Sequence, residues 1–182
     1  SWENVGGTSA GAIVAAYVAA GKSAGEIRGI LDRIELKEMM DTGWEDRVDW
    51  LLSRFSPLRF IPKIGMLREH IFSIVRDFGI YEGRRFMELV GENLPDDIRT
   101  FGDVLYDAEL PKESPYRYKL RVVASDITAN RMLILPQDIR HFGRDPDDLP
   151  IAEALRMSMS IPIFFEPWRL TDTGGKTHLI LD

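Results

Sequence analysis

The sequence predicts an α/β domain of three layers, in which a mainly parallel central sheet lies between two layers of helices. Two patterns favour this class. Residues 10–20 form a nearly uncharged helical stretch directly after a glycine-rich turn, and residues 116–124 alternate before turning wholly apolar, as a strand does on entering a buried sheet. The length of 182 residues suits a single domain, and 45% hydrophobic against 29% charged residues is the balance of a globular protein.

Charge and cysteine content exclude several classes of protein. The 23 Lys and Arg residues stand against 29 Asp and Glu, a formal net charge of −6, so we expect no nucleic-acid partner. The absence of cysteine excludes disulfides, thiolate zinc sites and a disulfide-stapled secreted scaffold. The longest small-apolar run, residues 10–21, is about half of the ~20 residues that a membrane span needs. Because no signal peptide opens the chain, the expected location is cytoplasmic.

In the amino-terminal half the patterns predict a strand, a tight turn and two helices. Residues 1–5 are the stub of a strand, and the helix over residues 10–20 ends at Gly21. Ser23 and Glu26 form a capping box that begins the second helix. Four apolar side chains share one face of that second helix: Ile27, Ile30, Leu31 and Ile34.

The remainder of the chain predicts helical pieces followed mainly by strands. Residues 44–94 look helical between proline and glycine interruptions. Four strands and one helix follow, with the strands at residues 116–124, 131–135, 164–170 and 177–181 and the helix at residues 151–159. Gly174 and Gly175 predict a hairpin turn between the last two strands.

Residues 7–11 fit the pattern G-x-S-x-G between a strand and a helix. Such a sharp turn holds Ser9 in a strained backbone conformation and exposes its Oγ. The flanking positions must be small to avoid the neighbouring strand and helix, and here they are Gly7 and Gly11. The helix amino terminus and the Ala10 N–H favour the negative charge of an acyl-transfer intermediate. The pattern therefore predicts Ser9 as a nucleophile and Ala10 as an oxyanion donor.

Asp182 is the favoured base for Ser9. It directly follows the apolar run of residues 179–181, so it lies at a strand end. If that strand runs parallel to the nucleophile strand, both side chains share the carboxyl edge of the sheet, and the carboxylate takes the serine proton directly. Asp126, which also follows a buried strand, is the second choice, against the alternative that it organises a turn.

A histidine base is the alternative that the residues leave open. An α/β-hydrolase triad runs Ser, then Asp or Glu, then His, and both His141 and His178 satisfy this order. The alternative enzyme is thus an α/β-hydrolase or an acyltransferase that uses Ser9 with a histidine. His141 lies in a polar, charged stretch and His178 inside the final strand, where a surface or structural role is the competing interpretation. His70, in an amphipathic helical stretch, is less favoured than either.

Four segments together resemble the patatin-like phospholipase family, whose enzymes use a Ser-Asp dyad. The segments match the family's nucleophile elbow, its core strand, its run of Ser, Pro and Phe, and the strand before its catalytic aspartate: residues 7–12, 122–127, 157–167 and 179–182. They occur in the expected order along essentially the whole chain. The resemblance implies that Ser9 is the nucleophile and Asp182 the catalytic aspartate. It also implies hydrolysis of lipid esters, either phospholipids, lysophospholipids or acylglycerols.

The chain departs from the family pattern at both ends. The family's glycine-rich oxyanion loop precedes the elbow, and two further residues follow its aspartate. Residues 1–182 therefore resemble an excerpt of a longer protein, one domain without those two parts, with the Ala10 N–H as its remaining oxyanion donor. No cofactor is expected. A metal is not expected either, because three aspartates that could suggest one have a spacing that fits no hard-cation loop: Asp41, Asp46 and Asp49.

Residues 53–86 predict a peripheral contact with a membrane. They hold seven Lys and Arg against three Asp and Glu, with aromatic residues interleaved, in a chain of net negative charge. Such a surface docks on anionic lipid. The alternatives are an ordinary helical pair at this segment and, for the whole chain, a non-catalytic lipid-binding domain that retains the elbow.

Overall fold

The computed structural model describes residues 4–33, 83–161 and 165–182. Its strands are β1 (Val5–Thr8), β2 (Leu120–Asp126), β3 (Arg131–Leu135), β4 (Trp168–Thr171) and β5 (Thr177–Leu181). Its helices are α1 (Ala10–Ala19), α2 (Ala24–Leu31), α3 (Arg84–Glu92) and α4 (Ile151–Ser158), with short 3-10 helices at Phe101–Asp103 and Gln137–Phe142. Several predictions lie outside the described residues, namely those on Ile34, His70, the three aspartates at 41, 46 and 49, and residues 53–82.

The α/β class is confirmed, and the sheet is mixed rather than mainly parallel. β1 and β2 pair in parallel, whereas the pairs β2–β3, β2–β5 and β4–β5 are antiparallel. The physical reason is the length of the connections. Four residues join β2 to β3 and five join β4 to β5, and a parallel crossover needs a dozen or more.

The strand register brings the carboxyl ends of β1 and β5 together. β3 pairs with the last five residues of β2 along one edge, so β1 and β5 must both lie along its other edge. β1 ends with Thr8 opposite Val123, and β5 ends with Leu181 opposite Ser125. The two strands therefore run head to head. β5 is antiparallel to β1, whereas Asp182 was expected near Ser9 on the condition that the two strands are parallel. Asp182 nevertheless lies beside the end of β1.

The helix α1 lies against the sheet with most of its faces buried, as its uncharged composition predicts. It packs on β1 and β2, and α4 packs on β2, β5 and α1. Gly21 follows α1 with a φ of 82°, the conformation expected of a residue that ends a helix. No helix in the described part of the chain is long and apolar enough to cross a membrane.

The predicted capping box is present at the start of α2. The Ser23 Oγ accepts from the Glu26 N–H, and the Glu26 carboxylate accepts from the Ser23 N–H at 2.8 Å. On the predicted apolar face Ile27 and Ile30 are buried, but Leu31 is 42% exposed. The helix α2 is thus begun by its capping box and is packed against the core through Ile27 and Ile30, two of the apolar residues predicted to share one face.

Candidate active site

Ser9 occupies the single position between β1 and α1. It adopts φ 52° and ψ −133°, and only Asn130 shares a positive φ among the described residues other than glycine. Holding a side chain in such a conformation costs about 1–3 kcal/mol and persists only where the surroundings enforce it. The turn is tight enough that a Cβ at Gly7 would lie 2.4 Å from the carbonyl carbon and oxygen of Gly11. The predicted need for glycine is therefore confirmed at Gly7.

Gly11 differs from this expectation. A Cβ built there would have no described atom within 4 Å, so the anticipated collision at the second glycine does not occur. The reason is that Gly11 faces outward on the first turn of α1, where Ala10 is also exposed. The N–H groups of a first helical turn have no acceptor within the helix, and the role of the Ala10 N–H as an oxyanion donor stays a prediction.

A second serine, Ser158 at the end of α4, holds the elbow in place. The Ser9 N–H donates to the Ser158 Oγ at 2.9 Å, and the Ser158 hydroxyl donates to the Val123 carbonyl at 2.6 Å. Since an N–H only donates and a carbonyl only accepts, these directions are unambiguous. Ser158 is fully buried. In the sequence this serine lies within a segment that resembles a family motif, residues 157–167, but the pattern predicts no role for it.

The structure brings Asp182 to the elbow through Thr8, the residue before Ser9. The Thr8 hydroxyl donates to Asp182 Oδ1 at 3.2 Å, and the Asp182 N–H donates to the Ser160 carbonyl at 3.2 Å. Asp182 is exposed and makes no hydrogen bond to Ser9. The Ser9 hydroxyl instead contacts the Met159 sulfur at 3.5 Å. Asp182 thus lies beside Thr8, the residue before Ser9, where the two head-to-head strands meet.

A buried arginine lies beneath this region. Arg156 is 1% exposed, and its guanidinium donates to the Ser160 Oγ at 2.7 Å and to the Glu166 carbonyl at 2.9 Å. The same group lies 4.6 Å from the centre of the Phe165 ring, a cation–π distance. The Ser160 carbonyl accepts the hydrogen bond of the Asp182 N–H. By binding the Ser160 side chain, Arg156 therefore stabilises the residue on which the end of β5 is anchored.

Asp126, the second choice of base, is committed to a turn. Its Oδ1 accepts from the N–H groups of Thr128 and Ala129, and its Oδ2 contacts Arg131 at 3.1 Å and His178 Nδ1 at 2.8 Å. Burial alone would raise the pKa of Asp126, but the hydrogen bonds from Ala129, His178 and Arg131 hold it below its usual value. Asp126 makes no hydrogen bond to Ser9. Its contacts with the Thr128 and Ala129 N–H groups fit the alternative interpretation, in which this residue organises a turn.

Neither histidine in the described part of the chain makes a hydrogen bond to Ser9. His178 is buried, with Nδ1 on Asp126 and Nε2 3.3 Å from Asp172 Oδ2. It precedes Asp182 by four residues along an extended strand, about 13 Å. His141 is exposed on the second 3-10 helix. Neither ring is hydrogen-bonded to Ser9.

The described residues show no arrangement that could ligate a metal. No group of three or more His, Asp or Glu side chains in them is placed to hold a metal ion. The Asp126, His178 and Asp172 side chains are near neighbours, but they are engaged with one another and with the Arg131 guanidinium.

Comparison with known proteins finds relatives over nearly the whole chain. The patatin-like phospholipase family matches residues 1–180. The "Uncharacterized protein YqhO" of Bacillus subtilis (strain 168) is 36% identical over 178 residues, which cover 97% of this chain and 52% of that protein. The chain thus spans about half the length of the curated relative. The crystal structure of VipD from Legionella pneumophila aligns with a TM-score of 0.49 and 18% identity, over 98% of this chain and 40% of that one.

Proposed function

This chain belongs to the patatin-like phospholipase family, and on that premise we propose that it is a serine hydrolase of lipid acyl esters that works through a dyad of Ser9 and Asp182. One observation carries the proposal. The Asp182 carboxylate is bonded to Thr8, directly before a serine with a strained positive φ. Family membership supports the substrate class, which is a phospholipid, lysophospholipid or acylglycerol.

In the proposed reaction the Ser9 Oγ attacks the ester carbonyl while Asp182 accepts the hydroxyl proton. The amino terminus of α1, with the Ala10 N–H, stabilises the oxyanion of the tetrahedral intermediate. Collapse of that intermediate expels the alcohol, which takes the proton from Asp182, and leaves an acyl group on Ser9. Asp182 then removes a proton from water as the water attacks the acyl carbonyl, and collapse of the second tetrahedral intermediate returns that proton to the Ser9 Oγ and releases the fatty acid.

The resting contact of Ser9 is compatible with this role. A thioether sulfur is a weak acceptor, so the 3.5 Å contact with Met159 costs little to break. A rotation about χ1 moves the hydroxyl between staggered positions, and hydrogen bonds of a catalytic site often tighten only when substrate binds. The contacts of His178 with two carboxylates, by contrast, leave neither ring nitrogen free to act as the base.

We also propose that the enzyme contacts a membrane surface. Residues 53–86, with their excess of basic over acidic residues, would contact an anionic membrane from the cytoplasm, without nucleic acid or a cofactor. Sedimentation with vesicles of phosphatidylserine and phosphatidylcholine tests this contact. Protein that pellets only with the anionic vesicles, and less at high salt, supports it, whereas protein that stays in the supernatant contradicts it.

Labelling by a fluorophosphonate probe tests the dyad in the natural polypeptide, with any sequence that flanks residues 1–182. We expect Ser9→Ala to abolish labelling and Asp182→Asn to slow it by at least about a hundredfold, because the nucleophile loses its base. Asp148→Asn, an exposed carboxylate on a loop, is the matched control and should label normally. Labelling that ignores Asp182 would move the base elsewhere, and the absence of labelling in the unaltered protein would favour a binding domain.

A further inference from the structure

We propose that Thr8 is a positioning residue of the dyad, whose hydroxyl holds the Asp182 carboxylate with one oxygen free for Ser9. The inference rests on the proposed function and deepens it. It assigns a role to the first variable position of the G-x-S-x-G pattern, which the pattern itself leaves unspecified.

The hydrogen of the Thr8 hydroxyl has two acceptors within reach. Asp182 Oδ1 lies at 3.2 Å and the Val123 carbonyl at 3.5 Å. The Val123 carbonyl already accepts a short bond of 2.6 Å from Ser158. A carboxylate is the stronger acceptor because it is charged. The single hydrogen of Thr8 therefore goes to Asp182.

The backbone of Asp182 is held by Ser160, and within the described residues the Thr8 hydroxyl is the donor that is hydrogen-bonded to its carboxylate. The N–H of Asp182 is bonded to the Ser160 carbonyl, but the carboxylate is exposed and would otherwise sample several rotamers. Threonine is β-branched and stiff at χ1, so its hydroxyl is a donor of restricted direction. Asp182 Oδ2 makes no hydrogen bond to any residue in the described ranges, which leaves this oxygen available to accept the proton of Ser9.

This arrangement predicts which kinetic constant depends on Thr8. The Thr8 hydroxyl is hydrogen-bonded to the Asp182 carboxylate. Its loss therefore reduces the fraction of molecules in which Asp182 is aligned with Ser9, and it leaves the contacts with substrate in place. Such a loss lowers kcat and leaves KM nearly unchanged. A residue that served folding alone would not produce this split.

The experiment compares Thr8→Val, which has the same shape without the hydroxyl, with Thr8→Ser, which retains it. Hydrolysis of a water-soluble p-nitrophenyl ester gives kcat and KM, and the fluorophosphonate probe gives the labelling rate at Ser9. We expect Thr8→Val to lower kcat and the labelling rate by about tenfold, the size of one hydrogen bond to a charged group. Thr8→Ser should stay within about threefold of the unaltered protein. Because Thr8 is exposed, Thr8→Val should keep its unfolding midpoint, and Thr8→Ala is a second variant without the hydroxyl.

A double-mutant cycle with Asp182→Asn tests whether Thr8 acts through the carboxylate. In the Asp182→Asn background, Thr8→Val should change the labelling rate by less than about twofold. A tenfold loss in both backgrounds, or wild-type rates in Thr8→Val and Thr8→Ala, would overturn the inference while leaving the dyad intact. Labelling that survives in Ser9→Ala or is normal in Asp182→Asn would instead refute the proposed function, so the two failures are distinguishable.

Discussion

Replacing Ser158 by alanine removes the hydroxyl that joins the end of α4 to the elbow and to β2. The Ser9 N–H, bonded to this hydroxyl at 2.9 Å, would then have no acceptor. The vacated volume is that of one oxygen atom at a fully buried residue, too small to admit a water molecule. The Val123 carbonyl would lose its 2.6 Å donor as well, because the hydrogen of the nearby Thr8 hydroxyl is directed at Asp182. Ser158→Ala therefore leaves one donor and one acceptor without a side-chain partner.

The expected effect has a stability component and an activity component. One unpaired buried donor costs about 1–3 kcal/mol of the free energy of unfolding, which in a chain of this length lowers Tm by roughly 4–8 °C for a loss of about 2 kcal/mol. The strain at the positive φ of Ser9 costs a similar amount. Without its bond to Ser158 the elbow can relax, and we expect the labelling rate at Ser9 to fall by at least about tenfold.

Urea or thermal unfolding gives the first quantity, and fluorophosphonate labelling well below the unfolding midpoint gives the second. Tyr118→Phe is the matched control, because it also removes a buried hydroxyl, one bonded to Asp147 at 2.6 Å and remote from the elbow. The control should lose stability and label normally. Ser158→Ala that is folded and labels at the wild-type rate would refute the role assigned to this hydroxyl.

Two further predictions follow from the contacts. Gly7→Ala should prevent folding or lower the free energy of unfolding by more than about 3 kcal/mol, because its Cβ would lie 2.4 Å from the Gly11 backbone. Gly11→Ala should fold normally and gain up to about 1 kcal/mol from its higher helix propensity. Equal urea midpoints for the two variants would contradict this. Burial alone would raise the pKa of Asp147, but hydrogen bonds led by that from Arg117 lower it to about 2. A lowered pKa means that the stabilisation is complete above the usual carboxyl range and is lost as the pH falls through about 2. Circular dichroism from pH 6 to pH 1.5 should show a smaller acid loss of stability in Asp147→Asn than in Asp148→Asn.

The parts of the fold that depend on near neighbours were predictable from the sequence. The strands at residues 131–135 and 177–181 were predicted with the observed bounds, and the helix ending near Gly21 within one residue. The capping box of Ser23 and Glu26 is present with both of its hydrogen bonds. Each of these features depends on side chains within a few positions of one another, so the local pattern contains the information.

Longer contacts displaced some of these boundaries. β2 begins at Leu120 rather than at residue 116, because the backbone just before it pairs with another segment: the Tyr106 N–H donates to the Arg117 carbonyl and the Lys119 N–H to the Val104 carbonyl. β1 extends through the glycines to Thr8, because it pairs in parallel with β2. The alternating pattern alone cannot distinguish a residue of a strand from one that leads into it.

The sequence by itself determined the elbow at Ser9, the family to which the chain belongs and the two carboxylates worth considering. Only the tertiary structure decided what each carboxylate contacts. It places Asp182 in hydrogen-bond contact with Thr8, and Asp126 in contact with His178. It also supplied Ser158, which no local pattern marks as part of the elbow. These contacts join residues 174, 52 and 149 positions apart. They depend on strand direction and register, which are set by the packing of whole elements and not by any segment of the chain alone.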